Sequence, residues 1–137
     1  YRQFGVYQES LKTIYMYGSR GMQRMQQVMD QLRNASPREL GGQQVIRMRD
    51  YLTQQITTAA GSVTVFSGPT DNLLFFELAT VGHYVAVRPS GTEPKIKFYS
   101  FTRADVESGG SVEKTQDSLN AMIQLIEDDL QRFVDAE

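Results

Sequence analysis

The feature that most constrains this chain is a two-residue alternation on both sides of a short loop bracketed by prolines. Before the loop, Val85 and Val87 alternate with Ala86 and Arg88; after it, Ile96 and Phe98 alternate with Lys95 and Lys97. Successive side chains of a strand point to opposite faces, so each segment has one apolar and one polar face. Two such segments around Pro89–Pro94 predict an antiparallel hairpin. The expected register sets Arg88 opposite Lys95 and Ala86 opposite Lys97. Directly opposed residues share a face, so Arg88, Lys95 and Lys97 stand together on one side. Val85, Val87, Ile96 and Phe98 then form the other side, and a slip of one residue would mix the sets.

An apolar sheet face needs a cover, and two segments have the periodicity to supply it. Over Arg20–Arg33, Met22, Met25, Val28, Met29 and Leu32 recur at helical spacing, with an end near Asn34. This methionine stripe reads as core packing. Over Val112–Val134 the stripe is Leu119, Met122, Ile123, Ile126, Leu130 and Phe133. The run Glu127-Asp128-Asp129 on that helix reads as a solvated face. Ser36-Pro37-Arg38-Glu39 has the form of a capping box and predicts a short helical turn. Gly41-Gly42 then breaks the chain before a strand at Val45–Asp50.

Further strands are expected at Leu11–Tyr17, Val63–Phe66, Leu73–Leu78, His83–Arg88 and Lys95–Thr102. Residues 53–62 read as a connector and Glu107–Ser111 as a loop. Strands grouped between two helices, without a βαβ rhythm or a glycine-rich dinucleotide fingerprint, predict an α+β fold: an antiparallel sheet with helices packed on one face, in a single domain.

A length of 137 residues allows one modest core, and a formal net charge of −2 supplies no basic field of the kind nucleic-acid binders use. The absence of cysteine excludes disulfides and thiolate metal sites. No apolar run reaches the ~18–20 residues of a membrane helix. With no signal-peptide pattern at the start, a cytoplasmic location is expected and a membrane partner is not. The chain opens without methionine on Tyr1-Arg2-Gln3-Phe4, as a fragment would.

The loop itself carries the chemistry. Its terminal prolines restrict the backbone before any ligand arrives. Ser90 and Thr92 supply hydroxyls, and Gly91 permits a positive φ and close backbone approach. Consecutive amides in such a turn can make a concave nest for an anion. Arg88 adds a planar fork matched to phosphate oxygens. Read from these residues alone, the rival is a plain hairpin turn whose lysines protect an exposed strand face.

The segment Arg88-Pro89-Ser90-Gly91-Thr92-Glu93-Pro94-Lys95-Ile96-Lys97-Phe98-Tyr99 resembles the C-terminal phosphate-binding loop of the α-D-phosphohexomutases, the phosphoglucomutases and phosphomannomutases among them. Gly21–Arg33, the turn at Pro37–Gly42 and Val45–Tyr51 resemble the lead-in of the same branch. The resemblance implies a four-domain enzyme interconverting hexose 1-phosphate and 6-phosphate, glucose or mannose, through a bisphosphate intermediate. It implies a phosphoserine and a bound Mg²⁺ in domains outside this chain. Residues 18–137 would be the C-terminal domain, and residues 1–17 a lead-in from the domain before it. By the same resemblance Arg88, Ser90, Gly91, Thr92 and Lys97 would grip the phosphate that is not being transferred. Lys95 follows with weaker support.

No phosphoserine loop and no Asp-Gly-Asp metal loop stand in the chain, so catalytic and metal residues are expected elsewhere and the fragment alone is expected to be inactive. Glu107-Ser108-Gly109-Gly110 looks like the family's sugar-recognition loop, but it follows the phosphate loop rather than preceding it, and reads as a connector. His83, the single histidine, reads as packed rather than as a general base. Phosphopentomutase and bisphosphate-synthase relatives share the loop. The remaining alternatives are a stand-alone phosphosugar-binding or interaction module and a sheet-based nucleic-acid binder, the latter opposed by the acidic charge balance.

Overall fold

The computed structural model describes residues 3–107 and 110–136. In chain order the elements are β1 (Gln3–Tyr15), α1 (Gly21–Asn34), β2 (Glu39–Leu40), β3 (Gln43–Asp50), β4 (Gln55–Thr58), β5 (Val63–Val65), β6 (Leu74–Leu78), β7 (Tyr84–Pro89), β8 (Lys95–Glu107) and α2 (Val112–Asp135). The strands form one eight-stranded sheet in the order β1-β8-β7-β6-β3-β4-β5, with β2 paired to β3. The pairings are all antiparallel. Both helices pack on one face, as the α+β reading expects.

The alternation around the central hairpin decides which face that is. Val85, Val87, Ile96 and Phe98 are each 0% exposed. They join Leu74, Phe76, Met25, Val28, Met29, Leu32, Ile126 and Leu130 in a single core. Burying such a side chain contributes roughly 1.5–3 kcal/mol, so these four alone commit the hairpin to one orientation. Met22 departs from the expected stripe: it is 46% exposed, because the first turn buries Gly21 instead. On α2, Leu119, Ile123, Ile126, Leu130 and Val134 are buried, with Met122 and Phe133 packed at the margin.

Other departures lie along the sheet and at the turn after α1. The edge strand β1 runs from Gln3, well before the expected Leu11, because it pairs along its whole length with β8. Residues 3–15 thus share the sheet of the rest of the chain, while Tyr1 and Arg2 lie outside the described residues. The strand β8 continues past Thr102 to Glu107, and Ser108 and Gly109 of the expected loop are not among the described residues. The connector 53–62 contains β4, which shows no buried side chain to announce it. The Ser36 capping box does not form. Its hydroxyl donates instead to Leu32 O (2.7 Å), and Glu39–Leu40 turns back as β2. Gly41 and Gly42 make that two-residue turn with φ of +62° and +77°, the left-handed pair such hairpins require.

The acidic run on α2 is only partly solvated. Glu127 accepts from Ser10 Oγ (3.0 Å) and Asp129 from the Gly41 amide (2.7 Å), fastening the helix to β1 and to the β2–β3 turn. Asp128 stays exposed. Ser111 caps the start of α2, accepting from Lys114 N (3.1 Å).

One buried ion pair joins the first helix to the sheet. Arg33 Nε donates to Asp50 Oδ2 at 2.8 Å, with side-chain exposures of 11% and 3%. Asp50 Oδ1 also accepts from Leu52 N (2.9 Å), and Arg33 Nη2 donates to Asn72 Oδ1 (2.7 Å). Removing one partner of a buried pair strands the other. Asp50→Ala is therefore expected to lower unfolding free energy by about 3–5 kcal/mol in urea titrations. Asp128→Ala on the exposed face of α2 is expected to change it by less than about 0.5 kcal/mol. Equal effects of the two would contradict this assignment.

Candidate functional site

Strands β7 and β8 meet in a register two residues away from the expected one. Arg88 lies opposite Lys97, Pro89 opposite Ile96, and Ala86 opposite Tyr99. Because side chains repeat every two residues, a slip of two leaves both faces unchanged, and the alternation could not distinguish the two registers. The strands persist further into the loop than expected, which closes through Ser90 N donating to Lys95 O (2.9 Å). The correction brings Arg88 and Lys97 side by side on the sheet face away from the helices.

The loop is held firmly at its Pro94 end. Met16 N donates to Pro94 O (2.7 Å), and the Pro94 ring lies where a side chain on Gly21 would otherwise stand. Inside the loop, Ser90 Oγ accepts from Glu93 N (3.2 Å) and more distantly from Thr92 N (3.4 Å). Those two amides serve the loop's own turn and are not presented as the expected nest. Among the described residues no group accepts the Gly91 N–H, and none accepts the Ser90 hydroxyl proton. Gly91 does not take a positive φ, and a Cβ built on it meets nothing within 4 Å. The fold does not require glycine there; its value is the open approach to the backbone.

Arg88, Ser90, Gly91 and Lys97 line a shallow depression of about 480 Å³, together with Pro89, Lys95, Asp71 and Asn72. Thr92, expected in the set, is exposed and lies outside that lining. Lys95 is committed: its Nζ lies 3.6 Å from Glu93 Oε1 and 5.7 Å from the Tyr15 ring centroid. Among the described residues Lys97 has no carboxylate within ion-pair distance. Arg88 Nη2 donates to Asp71 Oδ2.

Sequence reasoning missed Asp71 and Asn72. The run Pro69-Thr70-Asp71-Asn72 is rich in turn formers, and only the boundary it marks was legible. A larger depression of about 630 Å³ lies by the end of α1 and strands β3 and β4, lined by Arg33, Ser36, Arg38 and Arg47 among others. There Arg33 is engaged with Asp50 and Arg47 with Glu77 (3.4 Å), while Arg38 has no carboxylate within ion-pair distance among the described residues.

His83 is buried and fully engaged. Gln43 Oε1 accepts from Thr80 N (3.1 Å), which orients the amide so that Gln43 Nε2 donates to His83 Nδ1 (2.9 Å). The opposite ring nitrogen then donates to Arg103 O (2.9 Å), and the imidazole serves as a structural tie between strands. Along the open sheet face Tyr7, Phe101, Tyr84 and Phe75 stack in a row, with centroid separations of 5.5, 4.9 and 4.5 Å. Their ring faces are turned to one another, which removes the free platforms that base stacking uses. No helix among the described residues is long and apolar enough to cross a membrane.

Comparison with known proteins finds similarity to phosphoglucomutases. The chain is 32% identical over 103 residues to the phosphoglucomutase of Staphylococcus aureus strain MRSA252, covering 72% of this chain and 18% of that protein. It is 31% identical over 106 residues to the phosphoglucomutase of Staphylococcus haemolyticus strain JCSC1435, covering 77% of this chain and 19% of the relative. The matched stretch thus spans under a fifth of the length of these relatives. No family model matches the chain.

The geometry at Gly91 separates a fold requirement from a site requirement. Gly91→Ala is expected to leave unfolding free energy within about 0.5 kcal/mol of the parent sequence. Gly41→Ala, with φ of +62° and a Cβ placed 2.7 Å from Ile126 Cγ1, is expected to lose more than about 1 kcal/mol. Comparable losses in the two variants, measured by urea unfolding, would mean that the fold needs both glycines.

Proposed function

We propose that this chain is the C-terminal phosphate-binding domain of a phosphoglucomutase/phosphomannomutase-type enzyme, in which the 88–97 loop grips the phosphate that is not being transferred. The observation that carries the reading is the direct pairing of Arg88 with Lys97 beside the Gly91 N–H and the Ser90 hydroxyl proton, neither of which has an acceptor among the described residues, on one open surface. A phosphoryl dianion offers three oxygens, and these donors suit it: a planar fork, a mobile ammonium, a hydroxyl and a backbone N–H. The loop resemblance and the 32% identity to phosphoglucomutase over 103 residues support the same reading.

The parent substrates would be hexose 1- and 6-phosphates, glucose or mannose. The chain's own residues bind and orient. Holding one end of a sugar bisphosphate fixes where the other end lies, and phosphoryl transfer depends strongly on that placement. A Mg²⁺ ion would neutralise charge on the transferring group in the parent enzyme. Among the described residues no group of three or more His, Cys, Asp or Glu is disposed to hold a metal. No step at this loop requires one.

In a full-length enzyme carrying this chain, Arg88→Ala is expected to lower kcat/KM by about ten- to several-hundred-fold, since charged hydrogen bonds contribute roughly 1.5–3 kcal/mol each. Arg88→Lys is expected to recover only part, keeping the charge and losing the fork. Lys97→Ala is expected to cost more than Lys95→Ala, whose ammonium already serves Glu93 and Tyr15. The purified 137-residue chain should not convert glucose 1-phosphate. Unaltered kinetics for Arg88→Ala, or turnover by the chain alone, would overturn the proposal.

A further inference from the structure

Resting on the phosphate-site reading above, we infer that Asp71 is a resident competitor for Arg88, a carboxylate that holds the guanidinium until a phosphate displaces it and takes it back on release. Asp71 Oδ2 accepts from Arg88 Nη2, and Asp71 lines the same depression as Ser90, Gly91 and Lys97. Asp71 thus takes one Nη2 donor and sets a negative charge beside the fork, so an anion that reaches for the same donor competes with this carboxylate.

Asp71 stands in the segment that leads into β6, whose Leu74 pairs with Val87 beside Arg88. Its N–H donates to Tyr51 O (3.3 Å), and its Oδ1 accepts from Asn72 N (2.8 Å). Asn72 Oδ1 in turn accepts from Arg33 Nη2 (2.7 Å), the arginine whose Nε is locked on buried Asp50 (2.8 Å). The segment that carries the carboxylate is thus tied to the ends of α1 and β3, while Arg88 and Lys97 stand on the adjoining β7–β8 hairpin. When a ligand arrives, Asp71 stays at the rim.

The exchange is energetically feasible because the resident pair is weak. Arg88 and Asp71 have side-chain exposures of 51% and 46%, and ion pairs so open to water stabilise little. A phosphate dianion gains Arg88, Lys97, the Gly91 amide and the Ser90 hydroxyl together, which outweighs the loss of one exposed contact. The bound dianion then sits near a fixed like charge, which weakens the grip. In a reaction where the same site must hold first one end of a bisphosphate and then the other, weak holding with a ready replacement favours release.

The test is the affinity of the 137-residue chain for inorganic phosphate, followed by NMR at the Gly91 amide and the Arg88 Nε–H, in wild type, Asp71→Asn and Asp71→Glu. Asparagine keeps the shape and removes the charge. It is expected to tighten binding roughly three- to tenfold at low salt, with the gain shrinking as ionic strength rises. Glutamate keeps the charge and is expected to bind within about twofold of wild type. If wild type binds at residues 88–97 and Asp71→Asn binds equally or more weakly, the competitor role fails while the phosphate site stands. If Asp71→Glu tightens binding as much as Asp71→Asn, charge is not the cause and the inference fails. If no variant binds phosphate, the phosphate-site reading itself is overturned and this inference with it.

Discussion

The structure depends on the burial of one side of a single hairpin. Val85, Val87, Ile96 and Phe98 are sealed against the helices, and the two-residue period of a strand then forces Arg88 and Lys97 to the opposite, open side. No separate device is needed to gather the cations. The hydrophobic core positions the charged surface, so a change that lets β7 or β8 slip by one residue would dissolve the core and the site together.

The rest of the fold makes that hairpin rigid. Strand β8 pairs with β1 along its whole length and with β7 from Ile96 to Phe101, so both ends of the loop leave from paired backbone. The buried Arg33–Asp50 pair fixes the end of α1 to β3 and, through Asn72, anchors the segment that carries Asp71. Cations and their resident carboxylate reach one depression from neighbouring parts of the same sheet, since the Asp71 segment leads into β6 and Leu74 pairs with Val87 beside Arg88.

What was legible in the sequence follows from these forces. The two helices, the apolar face and the cationic face were readable because periodicity reports burial, and Met25, Val28, Ile126 and Leu130 lie where it puts them. The register was not readable, since a slip of two residues preserves every face. Strand β4 escaped because Gln55-Ile56-Thr57-Thr58 shows no apolar alternation, and β1 was shortened because its partner lies some ninety residues away. At the site, Arg88, Ser90, Gly91 and Lys97 come together, while Thr92 does not line the depression. The expected nest of amides was mistaken for an empty one: the Ser90 oxygen, a two-way group, accepts from Thr92 and Glu93. Asp71 had no local signal at all, since its meaning arises only when the 71–72 turn is carried to Arg88 by the tertiary fold.

The most direct measurement of whether this surface is a phosphosugar site is an amide chemical-shift map of the 137-residue chain titrated with glucose 6-phosphate. The expected result is a set of shifts centred on Arg88, Ser90, Gly91 and Lys97, saturating on the order of millimolar, because one loop supplies few contacts against the full cost of association. Shifts spread evenly over the chain, or confined to α2, would contradict it.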